Sequence, residues 1–210
     1  MTSINGVGSR VSRLLKLSAD DPVAAQQDAW SWFAELGHRQ QYERSGALAE
    51  LAELFRAGLP SRGIDGQTEG LVVGFAVHPL ADRFLAAATS LWMPWVGKRF
   101  EAADARGSNT LTSAARWPAK LWWPRYRMRG GPGGVSAFDF YTRVERSAVD
   151  DGSDVLVIDY ALVAANPRLG IRAIRDELVE IVPGAHLGKM LLRLRGRYHL
   201  MAYFALRSRL

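Results

Sequence analysis

The sequence predicts a mainly β protein: an antiparallel, barrel-like sheet over residues 60–210, with a helical extension over residues 1–59 packed on it. Two observations carry the prediction. Residues 154–207 contain four apolar-rich runs, DVLVIDYALVAANP, IRAIRDELVEIVPG, AHLGKMLLRLRG and RYHLMAYFALR, and the first three close on a Pro or Gly turn. That rhythm is a β-meander in sequence form. The first sixty residues instead repeat their apolar positions at helical spacing. A closed sheet removes its own edges and leaves an interior that side chains can fill or a small molecule can occupy.

In the extension, Asp21-Pro22 is a helix start, because Asp can cap free N–H groups and Pro is tolerated at the first helical position. Trp30, Phe33, Ala34 and Gly37 then fall at helical spacing. A second helix runs from about Ser45 with Leu48, Leu51, Ala52 and Phe55 on one stripe, and Gly58-Leu59-Pro60 stops it. Such a stripe reads as a face docked onto the sheet.

Beyond the turn-rich residues 61–66, GLVVGFAV (70–77) reads as a strand whose two glycines suggest a bulge. Pro79 opens a helix through Leu91, and WVGKRFEA (95–102) is a strand again. Residues 116–129 are irregular, punctuated by Pro118 and Pro124, and GGPGG (130–134) is a loop. VSAFDFYTRVERS (135–147) alternates as a strand, placing Phe138, Phe140, Thr142 and Val144 on one face. Residues 170–182 fit two periods: Ile171, Ile174, Leu178 and Ile181 suit a helix, while Ile174, Leu178 and Val182 suit a strand face. A strand is expected, because its neighbours are strands and hairpin connections are short.

WVGKRFE (95–101), DYALVAANP (159–167) and IRDELVEIVPGAHLGKML (174–191) together resemble a family of uncharacterised, largely actinobacterial proteins with a lipocalin-like (calycin-type) barrel. In that family a Trp-x-Gly-Lys-x-Phe strand precedes an Asp-Glu-Leu…Pro-Gly…Leu-Gly-Lys hairpin. The resemblance covers about residues 60–207. The Gly-x-Trp signature of lipocalins proper is absent, Gly97 following Trp95 in the reverse order. What the resemblance implies is a barrel that binds a small apolar ligand, with no enzymatic activity attached.

The totals agree with a globular protein: 48% hydrophobic and 23% charged residues. A net charge of +6 favours anionic partners, phospholipid headgroups or nucleic acid, without choosing between them. Of the basic residues, 23 are Arg and only Lys16, Lys98, Lys120 and Lys189 are Lys. The absence of cysteine excludes disulfides, thiolate metal sites and cysteine nucleophiles. With no apolar run of signal-peptide or bilayer length, the expectation is a cytoplasmic protein, with peripheral membrane contact left open.

Two groups of residues are candidates for function. Asp159 sits among apolar neighbours in VLVIDYAL, and Asp139 repeats the pattern in FDFYTR. A carboxylate there must be hydrogen-bonded, paired with Arg or placed for a ligand. The ligand-binding reading assigns apolar contact to Trp92, Trp95, Phe138, Phe140 and Tyr160. Asp139, Arg143 and Asp159 then anchor a polar end, with Asp176 as a further candidate. Asp176 and Glu177 are adjacent, so a strand turns them to opposite faces and only one can reach an interior.

The second group is the basic aromatic stretch Arg116, Lys120, Trp122, Trp123, Arg125 and Arg127, suited to an anionic membrane surface. The same composition fits a structural plug at one end of the barrel or, less well, single-stranded nucleic acid. His38, His78, His186 and His199 have no metal-ligand spacing, so no metal site is expected. Nucleophile-elbow, P-loop and dinucleotide fingerprints are absent. The function expected is non-catalytic binding of a hydrophobic or amphiphilic molecule, such as a fatty acid, isoprenoid or polyketide-like compound. The alternatives are an enzyme using Asp159 or Asp176 as acid or base, and a peripheral membrane protein working through residues 116–129.

Overall fold

Asp21 begins a helix by accepting a hydrogen bond from the Ala24 N–H on its side chain (2.9 Å), with Pro22 next in line. The computed structural model describes residues 5–76, 95–115, 123–124, 126–131, 134–168 and 170–210. Its helices are α1 (Asn5–Asp20), α2 (Pro22–Arg39) and α3 (Arg44–Ala57). The strands are β1 (Leu59–Pro60), β2 (Gly66–Gln67), β3 (Glu69–Phe75), β4 (Trp95–Glu101), β5 (Arg106–Leu111), β6 (Arg129–Gly131), β7 (Gly134–Arg146), β8 (Asp154–Asp159), β9 (Ile174–Val182), β10 (Ala185–Leu194) and β11 (Arg197–Arg207).

All pairings are antiparallel, in the order β2-β4-β5-β7-β8-β9-β10-β11-β3, with β1 beside β9 and β6 beside β7. The two ends of that order belong to one continuous run of chain. β2 pairs with β4 and β3 pairs with β11, while Thr68 between them donates its N–H (2.8 Å) and its hydroxyl (2.7 Å) to the Lys98 carbonyl. Residues 66–75 thereby cross from one edge of the sheet to the other and bring it nearly to closure as a barrel. The crossing requires Gly97: its φ is 151°, and a Cβ there would lie 2.1 Å from the Thr68 carbonyl oxygen.

Each face of the sheet is buried against something different. Outside, α1–α3 cover β3 and β8–β11, packing Val11, Leu14, Ala29, Phe33, Leu51 and Phe55 against Val73, Val155, Val157, Val179, Leu187 and Tyr203. Inside, Trp95, Phe100, Phe140, Leu156, Ile158, Tyr160, Leu178 and Phe204 form a second cluster. A smaller third cluster, Met190, Met201 and Ala202, continues the interior.

The expected β-meander is present as β8–β11, and residues 174–182 are strand, preceded by one short turn of 3-10 helix. The helical faces differ in detail. Ala34 is exposed, and Trp32 and Leu36 are buried beside Phe33, because the docked stripe of α2 is rotated from the one expected. In β7 the expected single face of Phe138, Phe140, Thr142 and Val144 is interrupted. Phe138 adopts φ 53°, the register with β5 shifts there, and Val144 ends 39% exposed. Val135 and Ala137 before this bulge and Phe140 after it are buried. The expected loop at 130–134 carries the ends of the β6–β7 pairing. The helix expected from Pro79 lies outside the described residues. Among the described residues no helix is long and apolar enough to cross a membrane.

Candidate functional site

A buried ion pair spans the barrel interior. Lys98 comes from β4 and Asp176 from β9, which are separated in the sheet by β5, β7 and β8, so the pair is made across the interior and not along the wall. Lys98 Nζ lies 2.8 Å from Asp176 Oδ2, and the two side chains are 1% and 0% exposed. Strand alternation places both: Lys98 shares its face with Phe100, and Asp176 shares its face with Leu178, between outward Arg175 and Glu177.

Two neutral side chains complete the network. The three ammonium hydrogens of Lys98 go to Asp176 Oδ2, the Tyr160 hydroxyl (2.6 Å) and Asn109 Oδ1 (2.9 Å). Tyr160 donates to Asp176 Oδ2 (2.8 Å) and accepts from Asn109 Nδ2 (3.1 Å). Asn109 is oriented by its own partners: Oδ1 also accepts from Trp95 Nε1 (3.1 Å), and Nδ2 also donates to the Phe138 carbonyl (3.2 Å). The bulge at Phe138 thus aims a backbone oxygen at the site. Asn109 and Lys98 are direct cross-strand partners, which fixes their separation.

Every donor in the network is used, whereas Asp176 Oδ1 is buried and has no hydrogen-bond partner among the described residues. Around the ammonium, the rings of Trp95, Phe140, Tyr160 and Phe204 lie 5.3–5.7 Å from Nζ. Removal from water lowers the Lys98 pKa, and the attraction of Asp176 works against that. Burial, reinforced by the Asp176 charge, raises the Tyr160 pKa well above its ordinary value. Tyr160 is therefore a neutral hydroxyl at physiological pH.

Next along the chain, Glu177 faces the other way and is equally buried, but both its oxygens are satisfied. Oε1 accepts from the Ala148 N–H (2.8 Å) and Arg175 Nε (2.9 Å), and Oε2 accepts from Ser147 Oγ (2.6 Å). Lys189, also on the outer face, is paired with Asp150 and lies 4.3 Å from the Phe55 ring of α3. These contacts fasten the 147–150 turn and α3 to the barrel wall.

The residues expected to bind a ligand separate into two groups. Trp95, Phe140, Tyr160 and Asp176 meet in the interior, and Phe138 borders it, its ring stacked on Tyr126 and edge-on to Trp123. Asp139, Arg143 and Asp159 do not join them. Asp159 pairs with Arg143 at 2.9 Å, and Asp139 makes a two-pronged pair with Arg129, both on the outer side of the sheet, Asp159 being half-buried. The polar floor is built instead from Asp176, Lys98 and Asn109; the last two are absent from the expected set. Asp159 and Asp176 lie on opposite faces of the sheet, so the two carboxylates do not converge in one cavity.

Of the basic aromatic stretch, Trp123 is half-buried against Phe138, and Arg127 is exposed. Trp92, Arg116, Lys120, Trp122 and Arg125 lie outside the described residues. No group of three metal-ligating carboxylates or histidines occurs among the described residues.

No family model and no curated protein matches the chain. Among solved structures, the crystal structure of a protein from Thermomonospora curvata is similar at 17% identity and a TM-score of 0.42, covering 84% of this chain and 99% of that one.

Proposed function

We propose that this protein binds a small amphiphilic molecule in its barrel, without catalysis, with the polar end of the ligand at Lys98, Asp176, Tyr160 and Asn109. The observation that carries the reading is the contrast between adjacent carboxylates. Glu177 has both oxygens satisfied, as a structural group should; Asp176 is as deeply buried and has one oxygen unmet among the described residues. A buried ion pair adds little net stability, because desolvation offsets the attraction. Keeping one inside an aromatic wall, with one acceptor open, suits a site that receives a polar group from outside the chain. The resemblance to lipocalin-like barrels supports the same reading.

The test is native mass spectrometry of the purified chain before and after organic extraction. The expected result is an adduct of small-molecule mass that extraction removes and that returns on exposure to apolar compounds. A single unliganded mass, with no uptake of a neutral fluorescent apolar probe, would refute the reading.

A further inference from the structure

From the hydrogen-bond inventory of the interior site we infer that the polar end of the ligand is a neutral hydroxyl, so that the ligand class is long-chain or cyclic alcohols and not fatty acids. The inference rests on the binding function proposed above. Its basis is that Lys98 has no hydrogen left to offer: all three point at Asp176 Oδ2, Tyr160 and Asn109. The Tyr160 proton goes to Asp176, and both Asn109 Nδ2 hydrogens are used, on Tyr160 and on the Phe138 carbonyl. The site therefore has no donor for an incoming acceptor. What it has is an acceptor, Asp176 Oδ1, buried and without a hydrogen-bond partner among the described residues.

Charge makes the same selection. Lys98 and Asp176 neutralise one another in a site closed to water. A fatty acid would bring a carboxylate up to the open oxygen of Asp176, two anions at hydrogen-bond distance where no cation has a hydrogen free. An alkylamine would add a cation beside an ammonium that already balances the carboxylate. An alcohol donates one hydrogen to Oδ1, adds no charge and leaves the existing network in place. Its hydrocarbon body would pack against Trp95, Phe140 and Phe204, whose rings surround the ammonium.

The experiment uses the full chain freed of lipid and loaded with N-phenyl-1-naphthylamine, a neutral apolar fluorophore, then titrated with 1-tetradecanol, tetradecanoate or tetradecylamine at neutral pH. The alcohol should displace the probe about tenfold or more tightly than either charged compound of the same chain length. If the acid or the amine competes as well as the alcohol, the inference is wrong while the binding function stands. If neither the probe nor any of the three is taken up, the binding function itself fails. The double variant Lys98→Met/Asp176→Leu, its fold checked by circular dichroism, should lose the preference for the alcohol over the acid and the amine. Retention of that preference would overturn the assignment to Asp176.

Discussion

Replacing Lys98 by Met removes one half of a pair whose side chains are 1% and 0% exposed. The methionine fits the aromatic surroundings, but Asp176 keeps a carboxylate in an apolar interior with Tyr160 as its one remaining partner. Removing one partner of a buried ion pair costs about 3–5 kcal/mol. For a chain of this length, 1 kcal/mol corresponds to roughly 2–4 °C in Tm, so Lys98→Met should lower Tm by about 6–20 °C. Removing both charges has a different outcome. Lys98→Met/Asp176→Leu leaves no uncompensated charge, and such replacements range from neutral to about 4 kcal/mol stabilising. The double variant should therefore melt at or above the wild-type temperature, although it carries one substitution more. Thermal unfolding followed by circular dichroism, with urea titration as a check, measures both. A single variant within about 2 °C of wild type would mean that the pair is not formed in solution. A double variant as unstable as the single one would mean that the stranded charge is not the cause.

Burial lowers the His186 pKa from 6.5 to about 4, so the folded protein holds this imidazole neutral where the unfolded chain protonates it. Stability is unaffected by this group above about pH 6.5 and falls by roughly 3 kcal/mol as the pH drops toward 4; His186→Gln should remove that part of the slope in urea titrations across this range. Gly97→Ala pushes a Cβ into the Thr68 carbonyl and should cost at least about 2 kcal/mol, with amide exchange at Thr68 accelerated ahead of that in β9 and β10. Asp159→Asn breaks only the outer-side pair with Arg143; the expected change is below about 1 kcal/mol, with probe uptake unaltered.

The meander was legible because β8–β11 are short apolar-rich runs joined by strong turns such as Pro183-Gly184, where Gly184 takes φ 74°. β5 was not, because RGSNTL has one large apolar residue; its central interior-facing position is Asn109, polar because it serves Lys98. Half of the site was readable. Period-two alternation sets Asp176 apart from Glu177, and it also puts Lys98 on the side of Phe100, away from exposed Arg99 and Glu101. Lysine is itself a signal in this chain: it is rare beside arginine, and both Lys98 and Lys189 are buried and paired. The side of β8 that faces the interior could not be read. Val155 and Val157 are as buried beneath the helices as Leu156 and Ile158 are inside the barrel, so apolar neighbours do not distinguish the faces. That ambiguity placed Asp159 among the ligand contacts. Nor could local sequence bring Lys98 to Asp176, 78 residues away, since only the crossing of residues 66–75 closes the wall between them.

That crossing acts on assembly as well as on shape. A sheet wound with one strand out of step turns every side chain of that strand to the opposite face. The apolar residues of β8 tolerate such an error, because both faces of that strand are buried against apolar side chains. Asp176 does not: a slip of β9 would turn it outward beneath the helices and away from Lys98. Mis-threading β9 would therefore carry the cost of an uncompensated buried charge, a cost that hydrophobic burial alone does not impose.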